Sequence, residues 1–308
     1  MKKQILFLSI VALSCTALIF TACQKDSKSD NNDNSAEVSV QSDDQSRFSN
    51  ETDQVANEVD ASLETEAGFG RGGTQLICDA TITSDTTGSA RVITITYNGT
   101  NCLGTRTRTG VVTISMPQGV RWKNAGATIT VNFQNLKITR VSDNKSITIN
   151  GTQTITNVSG GLLISLPALG TITHTITSSN MSITFDNGTQ RTWSVARQRV
   201  YAWNAAAPII TITGTHTEGN VTGVAEWGTN RFGRTFITAI TQPLVISQAC
   251  NYRLISGKVT NVNALATTTV TFGLDVSGNP VSCPAGVFYF KITWTGPNGN
   301  TITVIMPY

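Results

Sequence analysis

Histidine is almost absent from this chain of 308 residues, which carries only His174 and His216. Acid–base and metal chemistry most often rests on that residue, so its scarcity narrows the options at once. No Gly-rich phosphate loop, nucleophile elbow or helical His–Glu zinc motif occurs. No CxxC pair points to a metal site, and no cofactor or metal is expected. Carboxylates are equally thin beyond residue 66, where Asp79, Asp85, Asp143, Asp186, Glu218, Glu226 and Asp275 are the seven available. Most of them stand beside Gly, Asn or Thr in predicted turns, where capping is their ordinary role. A glycoside hydrolase needs two carboxylates about 5–10 Å apart. A secreted glycan-active enzyme using such a pair is therefore the alternative reading, and a non-enzymatic binding or structural module the preferred one.

Long apolar runs are missing too. The longest covers residues 5–20, short of the roughly 20 residues a membrane-spanning helix needs. It follows Lys2 and Lys3 and ends in Phe20-Thr21-Ala22-Cys23, directly before Gln24-Lys25-Asp26. Positive n-region, apolar h-region and small residues before a cysteine resemble a lipoprotein signal, so residues 1–22 are expected to be removed and Cys23 acylated. Phe20 stands where such a motif usually has Leu. Cys15 is the other candidate, but cutting there would leave a strongly apolar remnant. Gln24-Lys25-Asp26-Ser27 resembles the short tag of surface-exposed lipoproteins, so lipid anchoring at the outer membrane with exposure at the cell surface is expected. The periplasmic face or secretion are the alternatives.

Charge divides what remains. Residues 23–66 hold twelve Asp or Glu against three Lys or Arg, a net −9, whereas residues 67–308 hold seventeen against seven in the other direction, a net +10. The acidic part, residues 23–69, is rich in Ser, Asp and Asn and is expected to be a disordered tether at least to Asn50. Val55, Val59 and Leu63 recur at four-residue spacing and permit a short amphipathic helix over about 52–66.

Beyond Gly68 no helical period survives. Thr alternates with Ile or Val in segment after segment, among them 80–84, 91–97, 128–133, 146–150, 171–177, 182–185, 209–213 and 266–274. Asn-Gly, Gly-Asn and Ser-Gly turns break the runs. Residues 70–308 are therefore expected to be all-β, an extended antiparallel sheet or β-sandwich of about fifteen to eighteen strands. Two halves, about 70–180 and 181–308, are the alternative to a single domain. Four cysteines remain in this domain, Cys78, Cys102, Cys250 and Cys283. Each end of the domain reads cysteine, strand, strand, cysteine, strand. Of three possible connectivities this order selects Cys78–Cys102 and Cys250–Cys283.

The stretch Asn98-Gly99-Thr100-Asn101-Cys102-Leu103-Gly104-Thr105-Arg106-Thr107-Arg108-Thr109-Gly110 is one motif. Phe185-Asp186-Asn187-Gly188-Thr189-Gln190-Arg191-Thr192-Trp193-Ser194, with Arg197 and Arg199 after it, is a second. Together they resemble an uncharacterised family of Bacteroidota lipoproteins, over most of the chain from Cys78 on. The first motif lacks the family's Pro-Asp-Gly between Cys102 and Arg106-Thr107-Arg108. The resemblance implies a β-rich exported lipoprotein and carries over no site. Asp85-Thr86-Thr87 resembles an acceptor for O-linked glycans, with a plain turn as the competing reading.

Residues 191–203 are the candidate binding face. On a strand, Arg191, Trp193, Val195, Arg197, Arg199, Tyr201 and Trp203 share one side. With a two-residue turn at Asn187-Gly188, Asp186 opposes Thr189 and Trp193 opposes Ser182, which turns this row to solvent. A turn one residue longer would turn it inward and bury arginines in a domain with few carboxylates to pair them. The expected partners are an anionic polysaccharide, lipopolysaccharide or another cell-surface protein, with no nucleic acid. A two-residue turn at Ser179-Asn180 would set His174 opposite Phe185, as a core histidine with no titratable partner. A turn at Gly219-Asn220 would pair residue 218 with 221, and Glu226 with Thr213, away from His216.

Overall fold

The computed structural model describes residues 35–65, 77–204, 207–250, 252–263, 266–281, 287–295, 299 and 301–307. The signal segment, Cys23 and Cys283 lie outside them. The first described element is α1 (Ser35–Thr65). The strands follow: β1 (Ala80–Asp85), β2 (Ala90–Thr100), β3 (Arg106–Pro117), β4 (Ala127–Arg140), β5 (Ser146–Asn157), β6 (Thr171–Phe185), β7 (Gln190–Asn204) and β8 (Ala207–Gly214). Then come β9 (His216–Glu218), β10 (Val221–Thr229), β11 (Thr235–Ser247), β12 (Arg253–Asn263), β13 (Thr267–Leu274), β14 (Tyr289–Thr295) and β15 (Thr301–Pro307). They form one antiparallel sheet of 15 strands rather than a sandwich.

The pairing follows chain order from β1 to β7, passes to β10, and runs in order to β15. β8 pairs with β7 and β11, and β9 with β10. No boundary falls near residue 180, so the division into two halves is corrected. The expected hairpin at Ser179-Asn180 is instead a bulge inside the continuous strand β6, with Asn180 at φ 56°. His174 consequently opposes Asn157 and Arg199, not Phe185.

Alternation explains both faces. In β4, Ala127, Ile129, Val131 and Phe133 are buried while Thr128, Thr130 and Asn132 between them are not. The same period of two places Ile93 and Ile95, Val112 and Ile114, Ile147 and Ile149 on the inner face. Cys78 and Cys102 form a disulfide across the β1–β2 hairpin, as the cysteine order predicts. Cys250 is buried and disulfide-bonded, whereas its expected partner Cys283 lies outside the described residues.

The largest correction concerns the acidic segment. Over its described residues it is not a tether up to Asn50 with a helix over 52–66, because helix occupies residues 35–65 throughout, while 23–34 and 66–69 lie outside the described residues. Nor is it free of the domain. Phe48, Val55, Ala56, Val59 and Leu63 are all buried in the same core as the strand residues. Phe48 stacks on Trp193 at 4.6 Å between ring centroids, and Trp193 meets Phe236 edge-on at 4.7 Å. Burial of this stripe supplies the stability that the helix's Ser, Asp, Asn and Thr residues do not.

The sheet curls to receive the helix. Glu58 reaches Tyr97 on β2 and Arg108 on β3, while two residues on Asp60 reaches His174 on β6 and Tyr201 on β7. Positions i and i+2 project about 200° apart around a helix of 3.6 residues per turn. β3 and β7, four strand steps or about 19 Å apart in a flat sheet, therefore stand on opposite sides of α1. A second, smaller core of Leu166, Ile172, Tyr201, Ile210, Ile212, Ala225 and Ile240 continues beside β8.

Candidate functional site

The inner face of β3, β4 and β7 and the loop after β10 carry arginines aimed at α1. Arg106 Nε lies 2.6 Å from Glu51, Arg108 Nη2 2.8 Å from Glu58, and Arg140 Nη1 2.7 Å from Asp43. Arg197 Nη1 lies 2.8 Å from Asp53, Arg231 Nη2 2.6 Å from Asp44, and Arg234 Nε 2.7 Å from Glu37. Six arginines of the β domain thus each meet a carboxylate of the helix. The helix itself has eight Asp or Glu and one Arg, Arg47. Its apolar stripe is flanked on both sides by acids, and the sheet answers with an apolar floor between two cationic flanks.

Arg108 is the most enclosed of these. Its side chain is 2% exposed and its Nε and Nη2 donate to Asp79 at 2.6 Å, while Nη1 and Nη2 donate to Glu58 at 3.1 and 2.8 Å. Asp79 follows Cys78, so the disulfide fixes the carboxylate that orients the arginine. Tyr97 donates to the same Glu58 at 2.5 Å, and burial first, then that carboxylate, pushes its phenol well above the ordinary range.

The predicted face divides. Arg191, Trp193, Arg197, Arg199, Tyr201 and Trp203 do share one side of β7, but the row points inward. Gln190 opposes Thr184 and Trp193 opposes Met181, because the loop of Asp186, Asn187 and Gly188 has three residues and not two. The physical reason is the one-residue slip, which exchanges the two faces of a strand. Trp193, Arg197, Arg199 and Tyr201 are buried, Arg191 donates to the carbonyls of Asn230 and Arg231, and Trp203 remains 39% exposed. The partners the domain could not supply come from α1. Sequence reasoning missed those partners, Asp53, Asn57 and Asp60. The −9 against +10 imbalance was the available signal.

Glu226 also turns inward. It opposes Val195 and Thr238 rather than Thr213, and it contacts Arg197, Gln45 and Ser49. His174 has a titratable neighbour after all, with Nδ1 3.3 Å from Asp60. Burial by itself would raise the Asp60 carboxyl. His174, Arg199 and the Tyr201 hydroxyl outweigh it and hold the group below its usual range.

His216 stands apart, stacked on Trp227 at 4.0 Å with Nε2 3.0 Å from Glu218. Residue 218 does pair with 221. Asp85 accepts from Thr87 N and Oγ1, a plain turn motif. Asp143 pairs with Arg140, Asp186 with Arg231, and Asp275 accepts the amides of Ser277 and Asn279. Among the described residues no cluster of three or more His, Cys, Asp or Glu is placed to hold a metal ion.

Glu51 provides a pH test. One oxygen meets Arg106 and the other, Oε2, is buried without a partner. Burial raises its carboxyl above the ordinary range despite Arg106 and Arg108. The folded state therefore holds a proton that the unfolded state has released, so this group's contribution declines as pH rises from about 4.3 through the folded value and stays constant above it. Glu51→Gln is expected to match or exceed the parent in stability at pH 7 and to lose its relative advantage as the pH falls to 4. Urea midpoints at pH 4 to 7 measure this; a clear loss at pH 7 would show that the Arg106 pair outweighs the burial cost.

Fold and site together define an all-β protein closed around an acidic helix by ion pairs. The chain matches no protein-family model, no curated protein and no solved structure.

Proposed function

We propose that this chain is an exported outer-membrane lipoprotein of the Bacteroidota type, acylated at Cys23, and that its β domain is a non-enzymatic module binding an anionic, amphiphilic partner. One observation carries the binding part: the curled face already accommodates an elongated polyanion with an apolar stripe, its own α1. A plain polysaccharide would satisfy the arginines but not the floor of Trp193, Phe236 and Phe185. Lipopolysaccharide, with phosphates and acyl chains, offers both kinds of contact. The carboxylates of the β domain serve as ion-pair partners and turn acceptors, which favours this reading over a glycan-active enzyme. The lipidation motif and the tag after Cys23 support the location, with the cell surface ahead of the periplasmic face.

Wild-type and Cys23→Ser chains, fractionated from the producing cell, test the anchor. The wild type is expected with outer membranes and the variant unprocessed or soluble, since acyl chains contribute about 0.8 kcal/mol per buried CH₂. Detergent-purified wild type is then expected to bind lipopolysaccharide with an affinity that falls as salt rises. A variant that still sediments with membranes refutes the anchor, and salt-insensitive binding refutes the anionic face.

A further inference from the structure

The fit between α1 and its face is incomplete at Arg199. Arg199 is fully buried, yet among the described residues its direct α1 partner is the neutral amide of Asn57, and its Nε and Nη1 have no hydrogen-bond partner. His174, directly opposite it on β6, is 2% exposed and already has its Nδ1 3.3 Å from Asp60 of α1. Arg106, Arg108, Arg140, Arg197, Arg231 and Arg234 meet carboxylates of α1 at 2.6–2.8 Å. At Arg199 the face offers a buried cation that no α1 carboxylate meets in a hydrogen bond, and leaving a buried charge or donor unpaired is costly.

We propose that the curled face is a site for an acidic amphipathic helix supplied by another polypeptide, and that α1 is its resident occupant, displaced by a helix bearing a carboxylate where α1 has Asn57. This rests on the reading of the face as a site for an anionic, amphiphilic partner and assigns that partner to polypeptide in place of lipopolysaccharide. A helix is favoured because the face is shaped to one along a 31-residue element about 46 Å long. Recognition is by acids at successive turns on both flanks of an apolar stripe, the helix-in-groove mode.

The test uses the full chain with labelled synthetic peptides of the Ser35–Thr65 sequence, unchanged and with Asn57→Asp. A new charge-assisted hydrogen bond in a buried site should make the substituted peptide bind about tenfold tighter or more. The same substitution in the protein's own helix should weaken capture of either peptide by a similar factor and raise the denaturation midpoint. Amide exchange should show α1 opening below the cost of global unfolding. The proposal is overturned by α1 amides that exchange only on global unfolding, or by equal affinity of the two peptides. Lipopolysaccharide micelles form a separate arm. If they accelerate α1 exchange and the peptides do not, the helical partner is wrong and the anionic-ligand reading stands; if neither does, both fall.

Discussion

Arg108→Met is expected to destabilise the protein by about 3–5 kcal/mol, the cost of removing one partner from a buried ion pair. The argument is that two carboxylates, Glu58 from α1 and Asp79 beside the disulfide, converge on one guanidinium that is 2% exposed. Without it both acids stay buried with their charge uncompensated, and Tyr97 alone cannot satisfy them. Chemical denaturation at pH 7 measures the loss. Arg108→Met combined with Glu58→Gln and Asp79→Asn should recover much of it, since neutral isosteres need no counter-charge. A single-variant loss below about 1 kcal/mol would mean that the pair is hydrated as at a surface.

The second large effect concerns Phe48→Ala, for which about 3–5 kcal/mol is expected as the cost of emptying a buried aromatic site. Phe48 fills the space over Trp193, which is itself wedged against Phe236 and Phe185. No strand residue can take its place, because Gly228, opposite Trp193 on β10, contributes no side chain there. The experiment separates two pictures of the acidic segment sharply. In a loose tether the substitution would change the denaturation midpoint by nothing measurable. A shift of the expected size shows that packing of α1 contributes to the stability of the folded domain.

Strand order and face alternation were legible in the sequence because they are local. Thr-Ile and Thr-Val alternation reports a period of two within each segment, and Cys78 and Cys102 flank their hairpin closely enough for order along the chain to select the pair. The membership of the row from Arg191 to Trp203 was legible for the same reason. Its direction was not. It depended on whether the loop at Asp186-Asn187-Gly188 holds two residues or three, and either length suits that composition. The helix was half legible: Val55, Val59 and Leu63 mark its apolar stripe, whereas residues 41–51 offer Phe48 among polar residues, many of modest helix propensity.

By itself, then, the sequence determined an antiparallel β domain, one disulfide in it, a row of cations and aromatics on β7, and an excess of acid before the domain matched by an excess of base within it. Tertiary structure alone decided that these last two features are one interface. Arg106 and Arg140 oppose each other across β3 and β4. Cations so placed repel unless acid stands between them. Glu51 and Asp43, more than fifty residues earlier in the chain, take that place when the sheet curls around α1. Pairing over such a distance is set by three-dimensional closure and leaves no periodic trace along the chain.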